Sequence, residues 1–145
     1  MRNCIFCPDK ASSKEDAWPN WLMKHFPAGG TINAERRGRI LNKWTAKKPR
    51  ITIRCVCKKC NNEWMSKLEI SVKPTILSIL ENTLDLLEQE AQRALAFWAV
   101  KNAMVYEYLD PKRTTFYTKS ERYNFHYDNM IPNPGVSEFM SQKLD

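Results

Sequence analysis

An α+β fold is the class this sequence predicts, and three observations predict it. Two C-x-x-C pairs, Cys4/Cys7 and Cys57/Cys60, flank a long intervening excursion. Ile51, Ile53 and Cys55 alternate with Thr52, Arg54 and Val56, which is the period of a strand. Beyond Cys60, apolar residues recur at helical spacing as far as Leu109. A chain of 145 residues suits one domain. Within it the expected division is a cysteine-paired module at 1–73, a helical part at 74–117 completing the same core, and an irregular C-terminal tail at 118–145.

In chain order, Ser13 is a fair N-cap, and Glu15 and Asp16 suit the positive end of a short helix or turn. Pro19 fits the first turn of the next segment, which Pro27, Gly29 and Gly30 end. Residues 40–44 supply a strand to pair with 51–56, with 46–49 as the turn of that hairpin. After Cys60, Asn61 or Asn62 caps a helix that buries Trp64, Met65, Leu68 and Ile70 on one side. Pro74 opens a further helix, in which Ile76, Leu77, Leu80, Leu84 and Leu87 keep helical spacing. A second long helix over 91–109 carries Leu95, Trp98, Asn102, Val105, Tyr106 and Leu109 in one stripe. Phe97, Val100 and Met104 add an apolar flank, so this helix is central, and Asp110-Pro111 stops it. The rest is aromatic but rich in Pro, Asn and Gly, and reads as loop or irregular edge.

Hydrophobic residues make up 43% of the chain, enough for a small core. The formal charge of +7 favours polyanionic partners such as nucleic acid, or an acidic protein surface. The opening MRNCIFCPDK lacks the apolar run of a secretory leader, and Lys101, Asn102 and Glu107 interrupt the best candidate span. A cytoplasmic protein with no membrane partner is expected, and its thiols are then reduced. Paired cysteines in a reducing compartment hold metal more often than they form disulfides.

Two-residue spacing lets both thiolates of a pair reach one ion from a tight turn, and two pairs complete a tetrahedron. Cys4, Cys7, Cys57 and Cys60 are therefore the expected ligands of one Zn²⁺. Four thiolates leave no open position for water, so the ion's role is structural. Cys55 is the spare: it packs on the strand face, or it replaces a knuckle ligand.

Three pieces in order, CIFC, SKEDAWPNWL and CVCKKCNNEWMSKLE, resemble the zinc-knuckle type of HNH (His-Me finger, ββα-metal) endonucleases. The resemblance covers most of residues 1–117 and is strongest to a group of phage and bacterial HNH-like proteins in which a helical segment like LAFWAVKNAMVYEYL follows. It implies a zinc-knuckle ββα-metal module with two long helices packed on it. It also implies a nuclease site with Mg²⁺ or Mn²⁺, in which Glu15, Asp16 and Asn61 are the catalytic candidates. Asp16 stands where that family places a histidine base, and aspartate is much the weaker base near neutral pH. His25 and His126, the two histidines of the chain, both lie outside the motif.

A basic patch falls between Glu35 and Cys60. Its ten cations are Arg36, Arg37, Arg39, Lys43, Lys47, Lys48, Arg50, Arg54, Lys58 and Lys59, against one anion, Glu35. Segregation of this kind suits a phosphate-binding face, since counterion release drives such binding. Three readings follow. The first is a metal-dependent endonuclease with Asp16 in place of the usual base. The second is a degenerate HNH-like module that binds nucleic acid, DNA rather than RNA, without cutting it. The third is an inactive scaffold that engages a protein partner, for example a phage-encoded inhibitor of a host factor.

Overall fold

The structure is a computed structural model. It describes residues 2–26, 31–36, 39–45, 50–110 and 115–131, and of 31–36 and 39–45 the backbone alone apart from Ile40. The elements are β1 (Ser13–Asp16), α1 (Asn20–Met23), β2 (Thr31–Arg36), β3 (Arg39–Thr45), β4 (Thr52–Val56), α2 (Lys58–Cys60), α3 (Ser66–Leu80), α4 (Gln89–Tyr106) and α5 (Lys119–Tyr127). A π-helical turn, Asn61–Met65, joins α2 to α3, and the helical backbone of Cys60, Asn61, Met65 and Ser66 makes one continuous helix. The class is α+β, as expected.

Among the described residues there are two antiparallel two-stranded sheets, β1 with β4 and β2 with β3. This corrects the expected hairpin: β3 pairs with β2, Thr31 opposite Thr45 and Arg36 opposite Arg39, and does not pair with β4. The partner of β4 is β1, with Glu15 opposite Ile53 and Asp16 opposite Thr52. Residues 13–16 are thus a strand and not the start of a helix. Local capping propensity gives way because β4 turns Ile53 and Cys55 into the core, and β1 completes that layer with Glu15 and Ala17 buried.

Four further differences lie in the helices. Pro74 sits inside α3 instead of opening a helix. It is tolerated on the exposed side, where water can satisfy the Ile70 carbonyl that the ring leaves unbonded. The helix then stops at Leu80, short of Leu84 and Leu87. Asn82 takes a left-handed conformation (φ 54°), Asn82 N–H bonds the Ile79 carbonyl at 3.2 Å, and Thr83 N–H bonds the Ser78 carbonyl at 2.9 Å. This is a Schellman closure. Ile70, expected on the buried side, is 68% exposed.

The fourth difference is α5, which forms where an irregular tail was expected. Thr118 and Glu121 build a reciprocal capping box at its start. The Glu107 carboxylate ties it back to α4, accepting from the Phe116 and Tyr117 amides and from Arg122 Nη1. Phe125 is 1% exposed, stacks on Phe97 at 4.9 Å, and closes an aromatic cluster with Phe6 and Trp64. Phe125→Ala is therefore expected to cost about 3–5 kcal/mol of stability, read as a lowered urea midpoint. An irregular tail would leave that midpoint where it was.

The main core gathers Cys4, Ile5, Phe6, Cys7, Ile53, Cys55, Val56, Met65, Met104 and Phe125. A second cluster seats α1 on the α3–α4 pair through Leu22, Val72 and Ile76. No helix among the described residues is long and apolar enough to cross a membrane.

Candidate metal centre and adjoining groove

The first knuckle is a tight loop closed by a bridge between Asn3 and Lys10 and by Cys4 N–H on the Asp9 carbonyl at 2.7 Å. It docks on β4 through Ile5 N–H and the Cys55 carbonyl, 2.9 Å apart. The second knuckle is the N-terminus of the long helix. Cys57 caps it in an extended conformation, and Cys60 N–H donates to Cys57 Sγ at 3.3 Å. The helix cap is thus Cys57, and not Asn61 or Asn62.

These two turns bring the Sγ atoms of Cys4, Cys7, Cys57 and Cys60 within 4.8 Å of one another, all four residues buried. Cys7 Sγ lies 3.5 Å from Cys57 Sγ and 3.6 Å from Cys60 Sγ. A tetrahedral ion with metal–sulfur bonds of about 2.3 Å sets its sulfurs about 3.8 Å apart, so this cluster can hold a metal ion. Cys55 is fully buried on β4 and lies outside this group of four. Among the described residues no disulfide is formed.

The thiols are unequal. A hydrogen bond from the Cys60 thiol is the main reason Cys4 is held down to about 5. Burial pushes Cys7 up to about 12, and Cys60 is also raised, chiefly by donating to Cys4 and then by burial. A metal must displace the protons of the raised thiols, so its affinity is expected to rise with pH across that span. Competition against a chromophoric chelator at several pH values reads this directly; an affinity independent of pH would contradict it.

Beside this centre lies a groove of about 390 Å³. Lys14, Glu15, Asp16 and Arg50 line one side, while Asn61, Asn62, Met65, Ser66, Glu69, Ile70 and Lys73 of the long helix line the other, with Trp21. The three residues singled out from the sequence, Glu15, Asp16 and Asn61, are therefore brought together, and each already has partners. Glu15 is 7% exposed, and Lys101 Nζ of α4 sits 2.8 Å from its Oε1. Burial raises the Glu15 pKa, with the Lys101 ammonium pulling the other way. Asp16 accepts from Arg50 Nε at 2.9 Å and from an Arg50 terminal nitrogen at 3.3 Å. Asn61 Nδ2 donates to Ser13 Oγ at 2.8 Å and to the Lys14 carbonyl at 3.1 Å, locking the helix onto β1.

Sequence reasoning missed two members of this arrangement. Glu69 faces the groove and accepts from Trp21 Nε1 at 2.9 Å. Lys101 lies beneath the groove, 1% exposed; its interruption of an apolar helix was the available signal. Glu15, Asp16 and Glu69 do not form a cluster of metal-holding size among the described residues. Neither histidine lines the groove. His25 is exposed after α1, while His126 stacks on Trp64 at 4.9 Å with its Nε2 4.0 Å from Cys60 Sγ.

Of the basic patch, Arg54, Lys58 and Lys59 are exposed beside β1 and β4, and Arg50 joins the groove. Arg36, Arg39 and Lys43 lie on the β2–β3 backbone with side chains outside the described part, and Arg37, Lys47 and Lys48 lie outside the described residues. Comparison with family models, curated proteins and solved structures gives no match.

Proposed function

We propose that this chain is a zinc-stabilised, HNH-like protein that binds nucleic acid, DNA in the first instance, through the phosphate backbone. The reading rests above all on one observation. Asn61, directly after the last cysteine, hydrogen-bonds to β1, so the helix start and the strand of Glu15 and Asp16 line one groove together with Lys14, Arg50 and Lys73. The antiparallel β1–β4 pair, whose second strand runs through Cys57 into the long helix, supports the ββα-metal reading, although α1, β2 and β3 separate its two strands in the chain. All-sulfur ligation selects Zn²⁺ over hard ions.

Binding without hydrolysis fits the groove best. Glu15 and Asp16 face Lys101 and Arg50, so a Mg²⁺ or Mn²⁺ ion there would compete with both cations. No imidazole is placed to take a proton from water among the described residues of the groove. The exposed cations Arg54, Lys58 and Lys59 continue the contact surface along β4 and into α2.

A gel shift on DNA across a salt series tests the reading. Complex formation is expected to weaken steeply with salt, and Arg54→Gln, Lys58→Gln and Lys59→Gln are each expected to lower the log–log slope by about one. Absence of salt-dependent binding to both DNA and RNA would refute it. Nicking of plasmid with Mg²⁺ or Mn²⁺, lost in both Asp16→Ala and Asn61→Ala, would replace it with the endonuclease reading.

A further inference from the structure

We infer that Trp18, with Tyr106, forms a stacking platform for an unpaired base, which makes single-stranded nucleic acid the preferred form of the ligand. The inference rests on the nucleic-acid reading above and adds to it the strandedness of the partner. Large aromatic rings normally bury most of their area. Trp18 leaves 44% of its surface exposed and Tyr106 39%. Their ring centroids are 6.4 Å apart at 64°, and Trp98 supports Trp18 from α4, also at 6.4 Å. The indole is thus held in place by neighbours while much of it faces water.

Its position supplies the second observation. Residues alternate along β1 and the bend that follows it, with Glu15 and Ala17 buried, Lys14 and Trp18 exposed, and Asp16 partly so. Asp16 pairs with Thr52, and Ala17 N–H bonds the Ile51 carbonyl at 2.8 Å, a register that carries Trp18 to the level of Arg50. The Arg50 side chain is 63% exposed. An edge carrying Lys14, Arg54 and the exposed, Asp16-paired Arg50 therefore runs up to an open aromatic surface. Sequence-neutral single-strand binders combine these two features, cations that follow the backbone and rings on which bases stack. A duplex offers phosphates to the same edge but no free base face.

The test measures anisotropy of labelled oligonucleotides, single strand and duplex of equal length, across a salt series. The single strand is expected to bind more tightly than the duplex. Trp18→Ala is expected to weaken single-strand binding roughly tenfold or more while leaving the salt slope intact, because stacking releases no counterions. Trp18→Phe should keep most of the affinity. Tyr106→Ala, assayed in parallel, keeps the test decisive should Trp18→Ala fold poorly by circular dichroism. Equal or tighter duplex binding would overturn the inference and leave the nucleic-acid reading standing, as would single-strand affinity unmoved in Trp18→Ala or, if that variant misfolds, in Tyr106→Ala. Failure to bind either polymer would overturn both.

Discussion

If the four cysteines hold zinc as proposed, stripping it with a strong chelator is expected to abolish cooperative folding, and returning Zn²⁺ is expected to restore it. The expectation follows from where the knuckles lie. Cys4, Ile5, Phe6 and Cys7 are all buried in the main core, and Cys57 and Cys60 join that core from the start of the long helix. Besides the cysteines, the N-terminal loop is held by the Ile5 N–H bond to the Cys55 carbonyl of β4 and by Phe6 packing on Trp64 and Phe125. Bound structural zinc contributes apparent energies of about 10–16 kcal/mol in finger peptides. A domain's whole stability is about 5–15 kcal/mol. Loss of the ion therefore removes as much as the fold has to lose. Cys60→Ala should behave like the chelated protein. Near-UV circular dichroism with thermal unfolding reads the outcome, and an unchanged midpoint in chelator would contradict it.

Lys101→Met is expected to destabilise the protein by about 3–5 kcal/mol, and Glu15→Gln by less because burial already favours the neutral form of that side chain, while the double replacement returns close to wild type or above it. The pair is almost wholly buried, with side chains 1% and 9% exposed. Removing one partner leaves the other as a buried charge without compensation, whereas removing both leaves neither. The pH dependence has a fixed sign. Burial lifts the folded-state pKa of Glu15 above its ordinary 4.5, so the folded chain holds that proton more tightly than the unfolded one. The contribution of this group therefore falls as pH rises from 4.5 through the raised value, and Glu15→Gln lacks that slope. Urea unfolding at several pH values measures both effects. A Lys101→Met loss below about 1 kcal/mol would place the pair in contact with water.

The features that local chemistry dictates were legible in the sequence. The four-cysteine group follows from spacing alone, and the long helix expected at 91–109 forms as Gln89–Tyr106 with a 3₁₀ turn to Leu109. The pairing of β1 with β4 was not legible, because SKED reads locally as a cap. Its inward glutamate makes sense only beside a lysine 86 positions away. The α3 stop depends on Asn82 accepting a left-handed backbone, which hydrophobic spacing does not report. For α5 the signal was present and outweighed by composition: Thr118 and Glu121 have capping-box spacing in a stretch otherwise rich in loop residues. The groove was half visible. Glu15, Asp16 and Asn61 were found, but the cations facing Glu15 and Asp16 turn a catalytic-looking set into paired charges.

X-ray absorption at the zinc edge, on protein purified without chelator, decides whether the four cysteines hold zinc. One ion per chain surrounded by four sulfurs at about 2.3 Å is the predicted result. A chain that folds with no stoichiometric metal, or an ion held by nitrogen and oxygen in place of Cys4, Cys7, Cys57 and Cys60, would contradict it.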